Sequence, residues 1–134
     1  MSYLLDANAC IAIMNQSSSR VRGNLVLASP DEIFLSTIVI HELWFGVAKS
    51  QRIESNAAVL RKFLMRGFES LKFSAEDAAA AGGIRAKLKA AGTPIGAYDI
   101  LIAGQALSRN LTLVTANTRE FARVNGLKLV DWTI

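Results

Sequence analysis

Tyr3-Leu4-Leu5-Asp6 is the stretch on which the reading of the fold turns. Three residues with apolar bodies stand in a row, without alternation, and an acid follows at once. A short run of this kind is a strand buried on both faces, not one with a wet side. The same pattern recurs in Ile33-Phe34-Leu35, introduced by the Pro30-Asp31 turn signal, and in Leu111-Thr112-Leu113-Val114. Phe68 to Phe73 alternates as an additional strand, and Leu127-Lys128-Leu129-Val130 forms a last one. Helices fill the intervals. Ser36-Thr37 caps a helix from about Ile38 to Lys49, with Gly46 weakening its middle, and residues 53 to 66 place Ala57, Leu60, Phe63 and Leu64 on one face. Ser74 with Asp77 forms a capping box, Asp standing for the usual Glu, ahead of an Ala-rich helix reaching Ala90. Tyr98 to Ser108 is a further helix, and Glu120-Phe121-Ala122 a helical turn. Buried strands alternating with helices predict an α/β fold around a mainly parallel sheet, with 1–134 as a single domain. Ligands of such sheets bind beyond the carboxyl ends of the strands, which places Asp6 and the Thr115-Ala116-Asn117 segment on one rim.

Composition narrows the classes. The 134 residues suffice for a real core, and 51% are hydrophobic, rich enough to point to apolar surface covered by a partner. No apolar stretch reaches the length of a membrane helix; the longest candidate is cut by His41 and Glu42. Met1 to Asp6 reads as no signal peptide, and the single cysteine, Cys10, excludes an internal disulfide and suits a reducing cytoplasm. A net charge of +4 favours polyanionic partners without establishing them. Arg61, Lys62, Arg66, Arg85, Lys87 and Lys89 read chiefly as solvated helix faces. One His and one Cys exclude a zinc site, and His41-Glu42 lacks the second His of a zinc protease, since position 45 is Phe45. No nucleophile elbow supports a serine hydrolase, and Gly92-Thr93-Pro94-Ile95-Gly96 lacks the Lys of a phosphate-binding loop.

The acids in apolar company carry the chemistry. Asp6 follows Leu4-Leu5, Glu42 lies within Ile38 to Phe45, and Asp99 lies within Ile95 to Ala103. A buried carboxylate is costly unless paired or bound to metal, and no three Arg or Lys partners stand beside these. If the three converge, repulsion raises their pKa values until a cation sits between them. An oxygen cage of this kind suits Mg²⁺ or Mn²⁺, which can activate water and stabilise charge on a phosphate. Taken singly, each acid also has an ordinary explanation: Asp6 as a turn former or helix cap, Asp99 as a cap after Gly96, Glu42 as a solvent-facing residue.

Leu4-Leu5-Asp6-Ala7-Asn8, Ser36-Thr37-Ile38 leading to Glu42-Leu43 and Gly46, Ile84-Arg85-Ala86, Gly92 to Gly96 leading to Asp99 and Ile102-Ala103, Leu113-Val114-Thr115 leading to Arg119-Glu120-Phe121, and the closing Leu127 to Trp132 occur in order. Together they resemble the VapC toxins, the PIN-domain ribonucleases of bacterial toxin–antitoxin modules. The resemblance implies a PIN-like α/β/α sandwich and Mg²⁺- or Mn²⁺-dependent hydrolysis of structured RNA, often tRNA, which inhibits translation. It also implies a homodimer, inhibition by a small VapB-like antitoxin, and higher toxin–antitoxin assembly. Asp6, Glu42 and Asp99 are then the metal ligands, with Asn8, Thr115 and Asn117 supporting. The chain departs from the pattern at Ala7, where Thr or Ser is common, and at Asn117, where many PIN domains carry Asp. Glu120 is therefore expected to fill the fourth acidic position, a capping role in a short helix being the equal alternative. Two rivals stand beside this reading: a DNA-directed or flap-type nuclease with the same acidic cage, and a non-catalytic α/β signalling or binding module. The late strand, ending in Thr115-Ala116-Asn117 without Lys, counts against a receiver-like module.

Overall fold

The apolar triplets do form the middle of a sheet. In the computed structural model, which describes residues 1–134, β1 (Tyr3–Leu5) lies between β2 (Ile33–Ser36) and β4 (Thr112–Val114). β3 (Glu69–Leu71) flanks β2 and β5 (Lys128–Val130) flanks β4, so the order is β3-β2-β1-β4-β5. Every pairing is parallel, where the sequence predicted a mainly parallel sheet; Tyr3 registers with both Ile33 and Thr112. Leu4, Leu5, Ile33, Leu35, Leu113 and Val114 are almost wholly buried, which is why the central strands read as unbroken apolar runs. The edges behave otherwise: Glu69, Ser70 and Lys128 are exposed.

Seven helices flank the sheet. Two that the sequence pattern does not announce follow β1: α1 (Ala7–Asn15) and α2 (Ser19–Leu27), with side-chain caps from Asp6 and Ser18. A 3-10 turn at Pro30–Glu32 leads into β2. α3 (Thr37–Ala48) starts where Ser36 Oγ accepts the Ile38 N–H at 3.1 Å, and α4 (Ile53–Leu64) buries the predicted Ala57, Leu60 and Phe63. The capping box before α5 (Ala75–Ala90) forms as read, Ser74 N–H donating to Asp77 at 2.8 Å and Asp77 N–H to Ser74 Oγ at 3.2 Å. α6 (Ala97–Ser108) lies so close to α5 that a Cβ on Gly104 would stand 2.7 Å from the Ala81 backbone. α7 (Thr118–Phe121) is a single short helix. No helix is long and apolar enough to cross a membrane.

The sheet positions the site through its topology. The chain leaves β1 toward β2 on one side and returns later to β4 on the other, so β1 and β4 are neighbours joined by no direct connection. Helices diverge from such a switch point and leave a crevice at the carboxyl ends of the two strands.

Candidate metal centre and active site

Asp6 occupies that crevice. Its backbone N–H donates to Val114 O at 3.1 Å, which ties the end of β1 to the end of β4. Its side chain is buried, and one oxygen, Oδ1, accepts the Ala9 N–H at 2.8 Å. The helix-cap explanation therefore holds for Asp6, but it occupies one carboxylate oxygen and fixes the direction of the other. Burial raises the Asp6 pKa; the Thr115 hydroxyl and the Ala9 amide offset part of the rise, and the charge of Asp131 adds to it.

Glu42 is half-buried on α3, and its Oε1 is buried with no hydrogen-bond partner. Its pKa is raised first by burial, then by the charges of Asp99 and Asp6, with His41 opposing. Asp99 lies in the first turn of α6 but does not cap it, since Gly96 is the N-cap and makes no side-chain bond there. Asp99 Oδ2 is 3.3 Å from where a Gly96 Cβ would stand, so glycine leaves the room this carboxylate uses. The Asp99 pKa is raised by burial, then by Glu120 and Asp6.

Glu120 does not close a capping box. Asn117 Nδ2 donates to Glu120 Oε2 at 3.0 Å, while the Asn117 backbone N–H donates to Thr115 Oγ1 at 2.9 Å. Asn117 thus orients Glu120, and the Glu120 charge acts on Asp99 across the rim. Asn8 lines a small cavity of about 80 Å³ that Thr115, Asp131 and Trp132 also line. Asp131 is the acid that sequence reasoning did not single out for the site. It follows Leu129-Val130 as Asp6 follows Leu4-Leu5, and that repeated pattern was the signal.

The four carboxylates share a deficit of positive charge. The ion pairs of the molecule are Met1–Glu32 and Asp77–Arg109, and none involves Asp6, Glu42, Asp99 or Glu120. Asp77 shows what neutralisation does in this fold. Burial pushes its carboxyl up, yet the Arg109 guanidinium and the Ser108 and Ser74 bonds outweigh that and hold it at about 2. The rim carboxylates have no such partner. As the side chains stand, no three of them are drawn in tightly enough to coordinate an ion. The orphaned Glu42 oxygen, the free oxygens of Asp6 and Asp99, and the raised pKa values all fit a hard divalent cation as the missing charge.

Comparison with known proteins gives the family. The PIN-domain family model matches residues 3–127, and the tRNA(fMet)-specific endonuclease VapC of Shigella flexneri is 40% identical over 133 residues, covering 99% of each chain. The chain is a PIN-domain protein of the VapC ribonuclease family. Ribonuclease VapC2 of Rickettsia felis is 41% identical, covering 98% of each chain. The crystal structure of VapBC2 from Rickettsia felis, bound to a DNA fragment from its promoter, superposes with a TM-score of 0.91 at 39% identity. It covers 98% of this chain and 99% of that one. VapBC from Salmonella typhimurium, also DNA-bound, gives the same TM-score of 0.91. PIN-domain VapC nucleases depend in general on divalent metal.

Proposed function

We propose that this VapC-family chain is the ribonuclease toxin of a toxin–antitoxin module, cutting structured RNA, with tRNA as the substrate class and a VapB-like antitoxin as its inhibitor. The observation that carries the chemistry is the set of uncompensated carboxylates at the β1–β4 switch point, with Glu42 Oε1 buried and unbonded. Asp6, Glu42 and Asp99 would hold Mg²⁺ or Mn²⁺, and Glu120, steadied by Asn117, completes the acidic rim. When bound, such an ion supplies positive charge to offset a phosphodiester and makes water more acidic. The protein's own groups do the rest. The α1 cap locks Asp6 in place, Thr115 stands beside it, and a rim carboxylate takes the proton of the attacking water.

α4 and its cap leave Ile53, Val59 and Met65 exposed, and α2 leaves Val26 and Leu27 exposed, which supports an apolar partner surface for the antitoxin and for a second copy of the toxin. The test is incubation of the purified protein with labelled tRNA(fMet) and with labelled duplex and flap DNA, in Mg²⁺ and in EDTA. RNA cleavage that needs the ion is the expected result; cleavage of DNA alone would move the chain to the flap-type reading, and metal-independent cleavage would remove the rim from the chemistry.

A further inference from the structure

His41 and Tyr98 immediately precede Glu42 and Asp99, so the helices that place two carboxylates also place two rings. The ring centroids are 5.0 Å apart, with planes tilted by 57°. His41 Nδ1–H donates to Ile38 O at 3.1 Å, which fixes that ring against α3. Phe45 follows His41 by four residues on α3, and Lys49, the C-cap of that helix, follows Phe45 by four, hence on one face. Lys49 Nζ lies 5.1 Å from the Phe45 ring centroid. His41, Tyr98, Phe45 and Lys49 line one cavity of about 460 Å³, and Glu42 forms part of its wall. The cavity therefore adjoins the candidate metal centre.

A pair of rings serving only to pack α3 on α6 would be covered. Here His41 is exposed, Tyr98 is 50% exposed and Phe45 is 60% exposed, so all three rings keep a face for something else. The chemistry of the lining is selective. A phosphate is repelled by the Glu42 wall, whereas a flat neutral base is not, and aromatic faces bind any base by stacking. Lys49 stands seven residues beyond Glu42, about 10 Å along the helix, where a second phosphate meets a cation instead of an acid.

We infer that this cavity is a nucleotide subsite: a base of the RNA next to the cleaved phosphodiester stacks on Tyr98, and Lys49 takes the adjoining phosphate. The inference rests on the ribonuclease reading above. Three variants test it with fluorescein-labelled tRNA(fMet): Tyr98→Leu, which keeps apolar bulk and loses the π face, Tyr98→Phe, which keeps both, and Lys49→Gln. Affinity is read by anisotropy in EDTA, KM and kcat in Mg²⁺, and folding by thermal melting. Tyr98→Leu is expected to weaken binding about tenfold. Its KM should rise in step, with kcat and melting close to the wild type, and Tyr98→Phe should behave as the wild type. Lys49→Gln should lower the salt dependence of binding by about one counterion. A cleaving wild type whose Tyr98→Leu variant keeps its affinity and KM overturns the subsite alone. So does a Tyr98→Leu variant that loses only antitoxin binding, or one whose loss tracks a lowered melting point. A wild type that neither binds nor cleaves the tRNA overturns the ribonuclease reading and this one with it.

Discussion

Replacing Asp77 with Asn removes the one buried acid of this fold that has its own cation, and the structure supplies the magnitude. The carboxylate accepts from Ser74 N–H at 2.8 Å, from Arg109 Nε at 3.3 Å and Nη2 at 3.0 Å, from Gln105 Nε2 at 3.4 Å, and from the Ser108 hydroxyl. A folded-state pKa of about 2, against an ordinary 3.8, is worth on the order of 2 to 3 kcal/mol in favour of the charged form. Asn keeps the volume but offers an N–H₂ where an acceptor is required, and it leaves Arg109 unpaired. We expect a loss of about 3 kcal/mol at pH 7, seen as a fall of roughly 10 °C in melting temperature. Because the folded pKa is depressed, the stabilisation is complete above the unfolded carboxyl pKa and is lost as pH falls toward 2. The gap between wild type and variant, measured by urea unfolding, should therefore narrow from pH 4 downward. Asp77 bonds the C-terminal end of α6, a helix length away from Asp99, so kcat at 25 °C should not change. A loss below about 1 kcal/mol, or a gap of constant size between pH 7 and 2.5, refutes the reasoning.

Asp99→Asn should cut RNA cleavage by about a hundredfold or more, since even outer partners of metal ligands cost up to that. In EDTA the same variant should melt higher than the wild type, because it removes a charge that burial, Glu120 and Asp6 all disfavour; an equal or lower melting point counts against the site's electrostatics. With Asp6, Glu42 and Asp99 all raised, the metal-free protein should lose stability as pH rises through their folded pKa values, and Mn²⁺ should restore it. Melting curves between pH 4 and 8 with and without Mn²⁺ check this, and a metal-free melting point that does not fall with pH contradicts it. Gly104→Ala should destabilise by about 1–3 kcal/mol through overpacking, and Ala81→Gly should not rescue it, because Ala81 Cα and N also stand 2.7 Å from the new Cβ. Denaturant unfolding of the single and double variants is the check.

Local chemistry was legible in the sequence; long-range placement was not. Tyr3-Leu4-Leu5 and Leu111 to Val114 read as buried strands because both of their faces are covered, and the Ser74–Asp77 box joins residues only three apart. That β1 lies between β2 and β4 depends on pairings about 30 and 110 residues apart, which no local pattern encodes. The capping box gave Asp77 a complete local role, so its pairing with Arg109, 32 residues on, left no sign. α1 and α2 are short and weakly patterned, with Gly23 inside α2 and Val26 and Leu27 on the outside. The acids were found because apolar neighbours made them costly, and the family followed from motifs in order along the whole chain. The His41–Tyr98 contact joins helices 57 residues apart and was invisible until the fold brought Glu42 and Asp99 toward one rim.

The uncompensated carboxylates at the β1–β4 switch point are expected to take a divalent ion. Calorimetric titration of Mn²⁺ into the wild type and into Asp99→Asn, both verified as folded by circular dichroism, tests it most directly. Saturable binding by the wild type that is lost or severely weakened in Asp99→Asn is the predicted result. Equal Mn²⁺ binding by both proteins, or none by either, would contradict the account.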